Sequence, residues 1–446
     1  MPSERYVVVG LARVQARWFD EVASWSTSGA LPVEFLKVLS VEELRARLQS
    51  GRAFSALLVD ATLPGCDRDL AEQATAAGSA LVVVDERFGD RHWHQLGAAA
   101  VLRPDFRPDD LLGVLRSAAK PVTRTDVVPE PRRAEAGRAG AWRGRLVAVT
   151  GAGGTGRSTV AMALAAGLAA DPRDRQLVVL ADLALRAQQG LLHDAGDLVP
   201  GLSELVDAHR SAVLAPDEVR KLCFQVVDQG YDLLIGLRRP RDWAALRPAT
   251  FSAALDGLRR SYRVVVADVD ADVEGEHECG SVEVEERNLL ARVSLRAADL
   301  VVVVGTSGVA GVHTHVNVVR DLLEIGVPAD RLVPVTNRAP RNPRARAGLA
   351  AAMAELLQSM ATQGEAGLAT TPLFVTERRR LDEALRDDAR LPATFVAAIS
   401  VPVRAVLDRL SSAGTETDTG SAQPEPTTPV TPGSLARWSA LSGEHV

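Results

Sequence analysis

The sequence predicts an α/β protein of two doubly wound parallel-sheet domains followed by a disordered C-terminal tail. Three observations carry this. Short apolar strands alternate with helical stretches over residues 1–119 and again over 144–411, the signature of a parallel sheet covered on both faces. A glycine-rich loop, Gly151 to Thr159, sits between an apolar strand and an Ala/Leu-rich helix. A Pro- and Arg-containing stretch, 120–143, separates the two alternating regions, and from Ser412 onward the chain is rich in Thr, Ser, Pro and Glu.

In the first region Tyr6–Val9, Ala56–Val59, Ala80–Val84 and Ala99–Leu102 read as strands. Val41–Gln49, Asp69–Ala77 and Pro108–Ala118 read as helices, the last with Asp109 and Asp110 at its favourable N-terminal end. Residues 120–143 read as a flexible basic linker: Pro121, Pro129 and Pro131 mix with Arg132, Arg133, Arg138 and Arg143. In the second region the strands are Leu146–Thr150, Leu177–Ala181, Leu233–Gly236, Val264–Asp268, Leu300–Gly305 and Leu332–Thr336, each apolar on both faces. Val160–Ala170 is helical, and Ala397–Leu410, which contains Pro402, reads as the domain's last helix rather than a membrane helix. The tail, 412–446, reads as disordered. It ends in Leu435-Ala-Arg-Trp-Ser-Ala-Leu441, either a docking peptide around Trp438 or nothing.

At 446 residues and 46% hydrophobic, the chain is long enough for two or three real cores. A net charge of −6 argues against wholesale coating of nucleic acid. Lys37, Lys120 and Lys221 are its only lysines, so arginine supplies nearly all the positive charge. Cys66, Cys223 and Cys279 have no ligand-like spacing and suggest a reducing compartment. Glu276-His-Glu-Cys279 reads as a solvated acidic loop in preference to a metal site. With no signal-peptide pattern and no apolar run of ~18 residues, a cytoplasmic protein is expected, unless a partner holds it at a membrane.

The loop fits G-x-x-x-x-G-K-[ST] except at the lysine, which is Arg157. Gly151, Gly153, Gly154 and Gly156 clear side chains from a cradle of backbone N–H groups, with Thr155 and Thr159 completing the run. The helix that follows favours phosphate at its N-terminus. Ser158 would place its hydroxyl on magnesium. Arginine keeps the charge but carries a planar fork, so nucleotide binding is expected to survive and hydrolysis to be slow or absent. Two strands end in acids, Asp182 and Asp268. At the C-terminal end of a central strand such acids face the ligand crevice. Asp268 would hold magnesium through water, and Asp182 would orient the attacking water or the metal.

Gly-Ala-Gly-Gly-Thr-Gly-Arg-Ser-Thr, then Leu-Ala-Asp-Leu-Ala-Leu-Arg, then Tyr-Arg-Val-Val-Val-Ala-Asp and Val-Thr-Asn-Arg resemble, in that chain order, the MinD/ParA group of deviant-Walker ATPases, a SIMIBI-type NTPase fold. The resemblance spans roughly 144–411. It implies ATP and Mg2+ as ligands, an ATP-sandwiched homodimer, and Asn337 and Arg338 beside the adenine. The family's two loop lysines fall on Ala152 and Arg157, and the first acid of its Asp-x-Asp pair falls on Leu180. These departures imply weak turnover and no lysine donated across a dimer.

Ser55 to Gly65 and Leu96 to Pro104 look like the phosphoacceptor strand and the closing segment of a response-regulator receiver, with Asp60 at the acceptor position. The acidic pair that holds a receiver's magnesium falls on Gly10 and Leu11, its lysine on Arg103 and its Ser/Thr on Asp85. A pseudo-receiver used for docking or dimer contact is implied. A degenerate receiver ahead of a deviant-Walker ATPase is similar to the CpaE/TadZ branch, as are Gly236 to Trp243 and Thr376 to Leu385. That implies an ATP-binding localisation factor for a tad-type pilus or secretion machine, cytoplasmic or peripheral at a membrane, pole or septum. Two alternatives stand beside it: an active MinD/ParA-type ATPase for septum placement or chromosome partitioning, and a nucleotide-free scaffold. Arg338, Arg341, Arg344 and Arg346 would be the place for nucleic acid to touch; a solvated loop is the preferred reading.

Overall fold

Strands whose side chains are apolar on both faces need cover on both, and the chain supplies it twice. The computed structural model describes residues 6–13, 16–49, 52–87, 92–122, 142–196, 198–360, 372–378, 381 and 390–414. The first sheet contains β1 (Tyr6–Leu11), β2 (Val33–Val38), β3 (Ala56–Asp60), β4 (Ala80–Val84) and β5 (Ala100–Leu102), ordered β2-β1-β3-β4-β5. Every pairing in it is parallel. This is a doubly wound order. The pleat divides its residues between two cores. Val8, Ala56, Leu58 and Val82 pack under the helices Arg17–Ser28 and Pro108–Ala118, through Trp18, Val22, Leu111 and Leu115. Val9, Leu57, Val59 and Val83 face Leu44 and Leu70 of Val41–Gln49 and Arg68–Ala76.

The second sheet is larger. Its strands are β6 (Arg145–Thr150), β7 (Val178–Asp182), β8 (Phe224–Val226), β9 (Tyr231–Leu234), β10 (Val264–Asp268), β11 (Leu300–Thr306), β12 (Leu332–Ala339) and β13 (Leu373–Thr376). They run β13-β12-β11-β6-β10-β7-β9-β8, all parallel except the β8–β9 edge hairpin. All six strands expected here are present, with β9 opening earlier and β12 running on to Ala339. Leu146, Ala148, Val265 and Ala267 belong to one core; Val147, Val149, Val264 and Val266 belong to the other.

Two expectations need correction. Residues Glu276–Cys279 are a helical turn rather than a loop, followed by the short helix Val282–Arg287. Glu278 there accepts from the buried Arg292 at 3.2 Å, so the cluster serves an ion pair. The last helix is longer than expected, Ala393–Gly414, and overruns the expected start of the tail. Phe395, Ile399, Val403 and Leu407 form its buried stripe, at helical spacing, against the Arg157–Ala169 helix. The helices meet at Gly167, where a Cβ would lie 2.3 Å from Ser400. Among the described residues no helix is long and apolar enough to cross a membrane. Most of the expected linker (123–141), the tail beyond Gly414 with its Trp438 motif, and much of the 376–385 stretch lie outside the described residues.

The two sheet units touch through a cap. The helix Pro248–Ser261 gets no side-chain cap from its own Arg247. Instead Asp69, 3% exposed on the Arg68–Ala76 helix, accepts from the Thr250 backbone N–H (3.2 Å) and from the Thr250 hydroxyl. Beside it Arg68 Nε donates to the His209 carbonyl at 3.1 Å. A carboxylate at a helix N-terminus satisfies otherwise orphaned donors and complements the dipole. Replacing Asp69 with Ala is expected to cost about 2 kcal/mol, read as a lower urea midpoint, while Asp69→Asn retains part of the cap and costs less.

Candidate nucleotide site

β6 ends at Thr150, and Gly151 to Gly156 carry the chain into the Arg157–Ala169 helix. Two glycines are required by geometry. Gly151 lies against β11, where a Cβ would sit 2.2 Å from the Val304 carbonyl. Gly156 has φ +85°, and a Cβ there would meet the Asn337 amide nitrogen at 2.6 Å. Nothing lies within 4 Å of the missing Cβ positions at Gly153 and Gly154, so the crest of the loop is open. Thr155 ties the loop to itself, its hydroxyl donating to the Ala152 carbonyl at 2.8 Å. The result is a glycine crest at the N-terminus of a 13-residue helix, the arrangement that receives phosphate. The larger unit is a P-loop fold.

Asn337 braces the loop in this structure. Its Nδ2 donates to the Thr155 carbonyl at 2.9 Å, and its Oδ1 accepts from the Arg338 N–H at 2.9 Å. Asn337→Ala is expected to loosen the crest and weaken any phosphate ligand several-fold, measurable by titration calorimetry. Arg338, held at φ +51°, is exposed and lines a cleft of about 470 Å³ with Gly153, Gly154, Thr306, His315 and Glu377. A wider groove of about 1130 Å³, bordered by Arg341 and Arg378, shares Arg338 and Glu377 with it. Burial lowers the pKa of His315 to about 4, so the ring is neutral at pH 7.

The acids converge as the strand register dictates: Asp268 of β10 pairs opposite Asp182 of β7, and both are fully buried. Arg157 joins them. Its Nε donates to Asp268 Oδ1 at 2.6 Å and its Nη1 to Asp270 Oδ1 at 2.8 Å. Gln189 closes the other side, its Nε2 donating to Asp268 Oδ2 at 2.8 Å and to the Ser158 carbonyl at 3.0 Å. Asp182 accepts backbone N–H bonds from Gln189 (2.7 Å) and Ala184 (3.4 Å). Burial, and then the neighbouring Asp268, push its carboxyl up to about 7, against the pull of those two donors. Burial opposes the charge on Arg157, but Asp268 and Asp270 outweigh it and hold the guanidinium above its ordinary value.

The expected assignment of Asp268 to magnesium does not fit this donor set. A divalent ion needs free carboxylate oxygens and bound waters. Both Asp268 oxygens are already taken, one by a cation and one by an amide. The phosphate half of the expectation fits better, because the crest is open and adjoins the cleft. Asp270 and Gln189 were not among the expected site residues. Asp270 had a signal, the Asp268-Val-Asp270 spacing; Gln189 had none.

In the front unit Asp60 accepts from the Thr62 N–H at 2.9 Å and from the Thr62 hydroxyl at 2.5 Å. The two positions at the end of β1 that would carry an acidic pair do not: a Cβ on Gly10 would lie 2.2 Å from the Phe35 ring, and Leu11 is buried. Asp85 accepts from the Trp93 indole at 2.7 Å.

No protein-family model matches this chain, and neither does any curated protein. Among solved structures it is similar to a ParA family ATPase from Chlorobium tepidum (14% identity, 61% of this chain and 99% of that one, TM-score 0.43). It is also similar to the cell division ATPase MinD of Pyrococcus furiosus (16%, 60% and 99%, TM-score 0.43). A third is an ATP complex of McdA from Cyanothece (16%, 64% and 100%, TM-score 0.41). At such values the likeness carries no argument about chemistry; the strand order and the loop do.

Proposed function

We propose that this chain binds a nucleoside triphosphate at the Gly151–Ser158 loop and turns it over slowly or not at all, acting as a nucleotide-dependent organiser rather than a motor. The observation that carries the reading is the open Gly153–Gly154 crest at a helix N-terminus, with a polar cleft beside it. Slow or absent hydrolysis follows from the residues that stand where chemistry would occur. Ala152 offers no cation, Arg157 is committed to two carboxylates, and Asp182 is buried with its proton held to near-neutral pH. Positioning and charge neutralisation supply most of the rate in phosphoryl transfer.

The resemblance extends the proposal. The front sheet serves as a pseudo-receiver, since aromatic packing over Gly10 and the buried Leu11 leave Asp60 without an acidic pair. The boundaries 1–119, 120–143, 144–411 and 412–446 are the proposed domain division. A homodimer that recruits a tad-type pilus or secretion motor is the proposed biological setting.

Calorimetry of the full chain with ATP, ADP and GTP tests the binding step. Saturable ATP binding that weakens in Gly156→Ala, where a Cβ meets Asn337 at positive φ, is expected, with little or no phosphate release above a protein-free control. Wild-type protein that binds none of the three would overturn the reading.

A further inference from the structure

Nucleotide loops of this kind ordinarily work with a divalent ion, and here the side chain that replaces the lysine lies on the very carboxylate the ion would use. We propose that Arg157 is the resident cation of this crevice: its guanidinium closes Asp268 to divalent metal, and the loop takes its polyphosphate metal-free. The phosphate half of this statement rests on the nucleotide reading above; the metal half does not.

Four observations point this way. Arg157 spans two carboxylates with two nitrogens, Nε on Asp268 and Nη1 on Asp270, at 2.6 and 2.8 Å. A planar fork suits such a span, whereas a lysine ammonium is a single point. The pairing is enclosed, the Arg157 side chain being 14% exposed and that of Asp268 1%. The remaining oxygen of Asp268 accepts from Gln189, which is itself held by the Ser158 carbonyl. A metal reaching Asp268 would have to displace both donors and then lie beside the guanidinium, like charge against like charge in a desolvated place. Finally, Nη2 of Arg157 donates to no described residue. Arg157 opens the helix immediately after the glycine crest, so that nitrogen is free to meet a phosphate oxygen while the other two hold the acids. One residue then neutralises the acidic pair and contributes to the phosphate site, the two tasks usually divided between lysine and metal.

The test uses Mn2+ alone as the metal probe, followed by paramagnetic resonance on the full chain. Wild type is expected to bind no Mn2+ that Asp268→Asn removes. Arg157→Ala is expected to gain one Mn2+, lost again in Arg157→Ala/Asp268→Asn, and its melting temperature should rise with Mn2+ while that of wild type does not. If Arg157→Ala does not fold, wild type against Asp268→Asn decides alone: a wild-type Mn2+ site abolished by Asp268→Asn overturns the proposal. A fluorescent ATP analogue supplies the second arm. Its affinity for wild type should agree within about twofold in EDTA and in Mg2+; a loss of tenfold or more in EDTA, about 1.4 kcal/mol, overturns the metal-free claim. Absence of analogue binding in either buffer overturns the nucleotide reading and with it the polyphosphate half, and the Mn2+ arm still decides whether Arg157 closes Asp268.

Discussion

Arg157→Ala is expected to destabilise the larger unit by about 3–5 kcal/mol, because it strands a fully buried carboxylate. Asp268 has 1% of its side chain exposed and would retain, among the described residues, only the Gln189 amide as a donor. The loss should appear in urea as a lower midpoint at unchanged slope, since the surface exposed on unfolding barely changes. Arg157→Lys is expected to fall between, an ammonium reaching one acid where the fork reached two. The decisive comparison is the double variant. Arg157→Ala/Asp268→Asn removes the stranded charge together with its partner and should recover most of the loss. If the double variant is as unstable as the sum of its singles, the two side chains are not coupled and the pairing described here does not hold in solution.

Asp182→Asn is expected to do the opposite, stabilising the protein at pH 8. The Asp182 carboxyl sits at about 7 in the folded chain against about 3.9 when unfolded. A carboxyl raised on folding binds its proton more tightly in the native state. Its contribution is whole below about pH 4 and is lost as the pH climbs through about 7. The swing is on the order of 4 kcal/mol. His315 works in the other sense, since burial lowers it to about 4 and stability is lost as acid forces a charge onto it. The raw profile mixes the two, so the measured quantity is variant minus parent. That difference should grow in favour of Asp182→Asn from pH 4 to pH 8. Parallel profiles would mean that Asp182 is ionised in the folded protein at little cost.

Much of this architecture was legible in the residues. Runs such as Val264–Ala267 and Leu300–Gly305 are apolar without interruption, and only a doubly covered sheet accommodates that. The strands that escaped the sequence reading were weakly patterned. β2 carries Glu34 and Lys37 between its apolar residues, as suits an edge strand. β8 and β13 are three and four residues long; the helix Arg17–Ser28 went unread although it buries Trp18, Phe19 and Val22 on one face. The site was half legible. The glycine spacing announced the loop, and Asp182 and Asp268 announced the crevice. The direction taken by Arg157 was not readable, because it depends on the β7–β10 register that sets two buried acids opposite each other. The bracing role of Asn337 likewise depends on β12 ending beside Thr155.

The final helix bears on where the chain can be cut. Its stripe from Phe395 to Leu407 covers the loop-bearing helix along one flank, and Arg404 fastens it there, donating to the Leu168 carbonyl at 3.1 Å and pairing with Asp174 at 2.5 Å. Truncation just before Ala393 would uncover the flank of that helix around Gly167, turning an internal seam into a sticky exterior. A shortened polypeptide that keeps every glycine of the loop would still be expected to clump. The larger sheet unit therefore needs the chain to Leu410 or beyond.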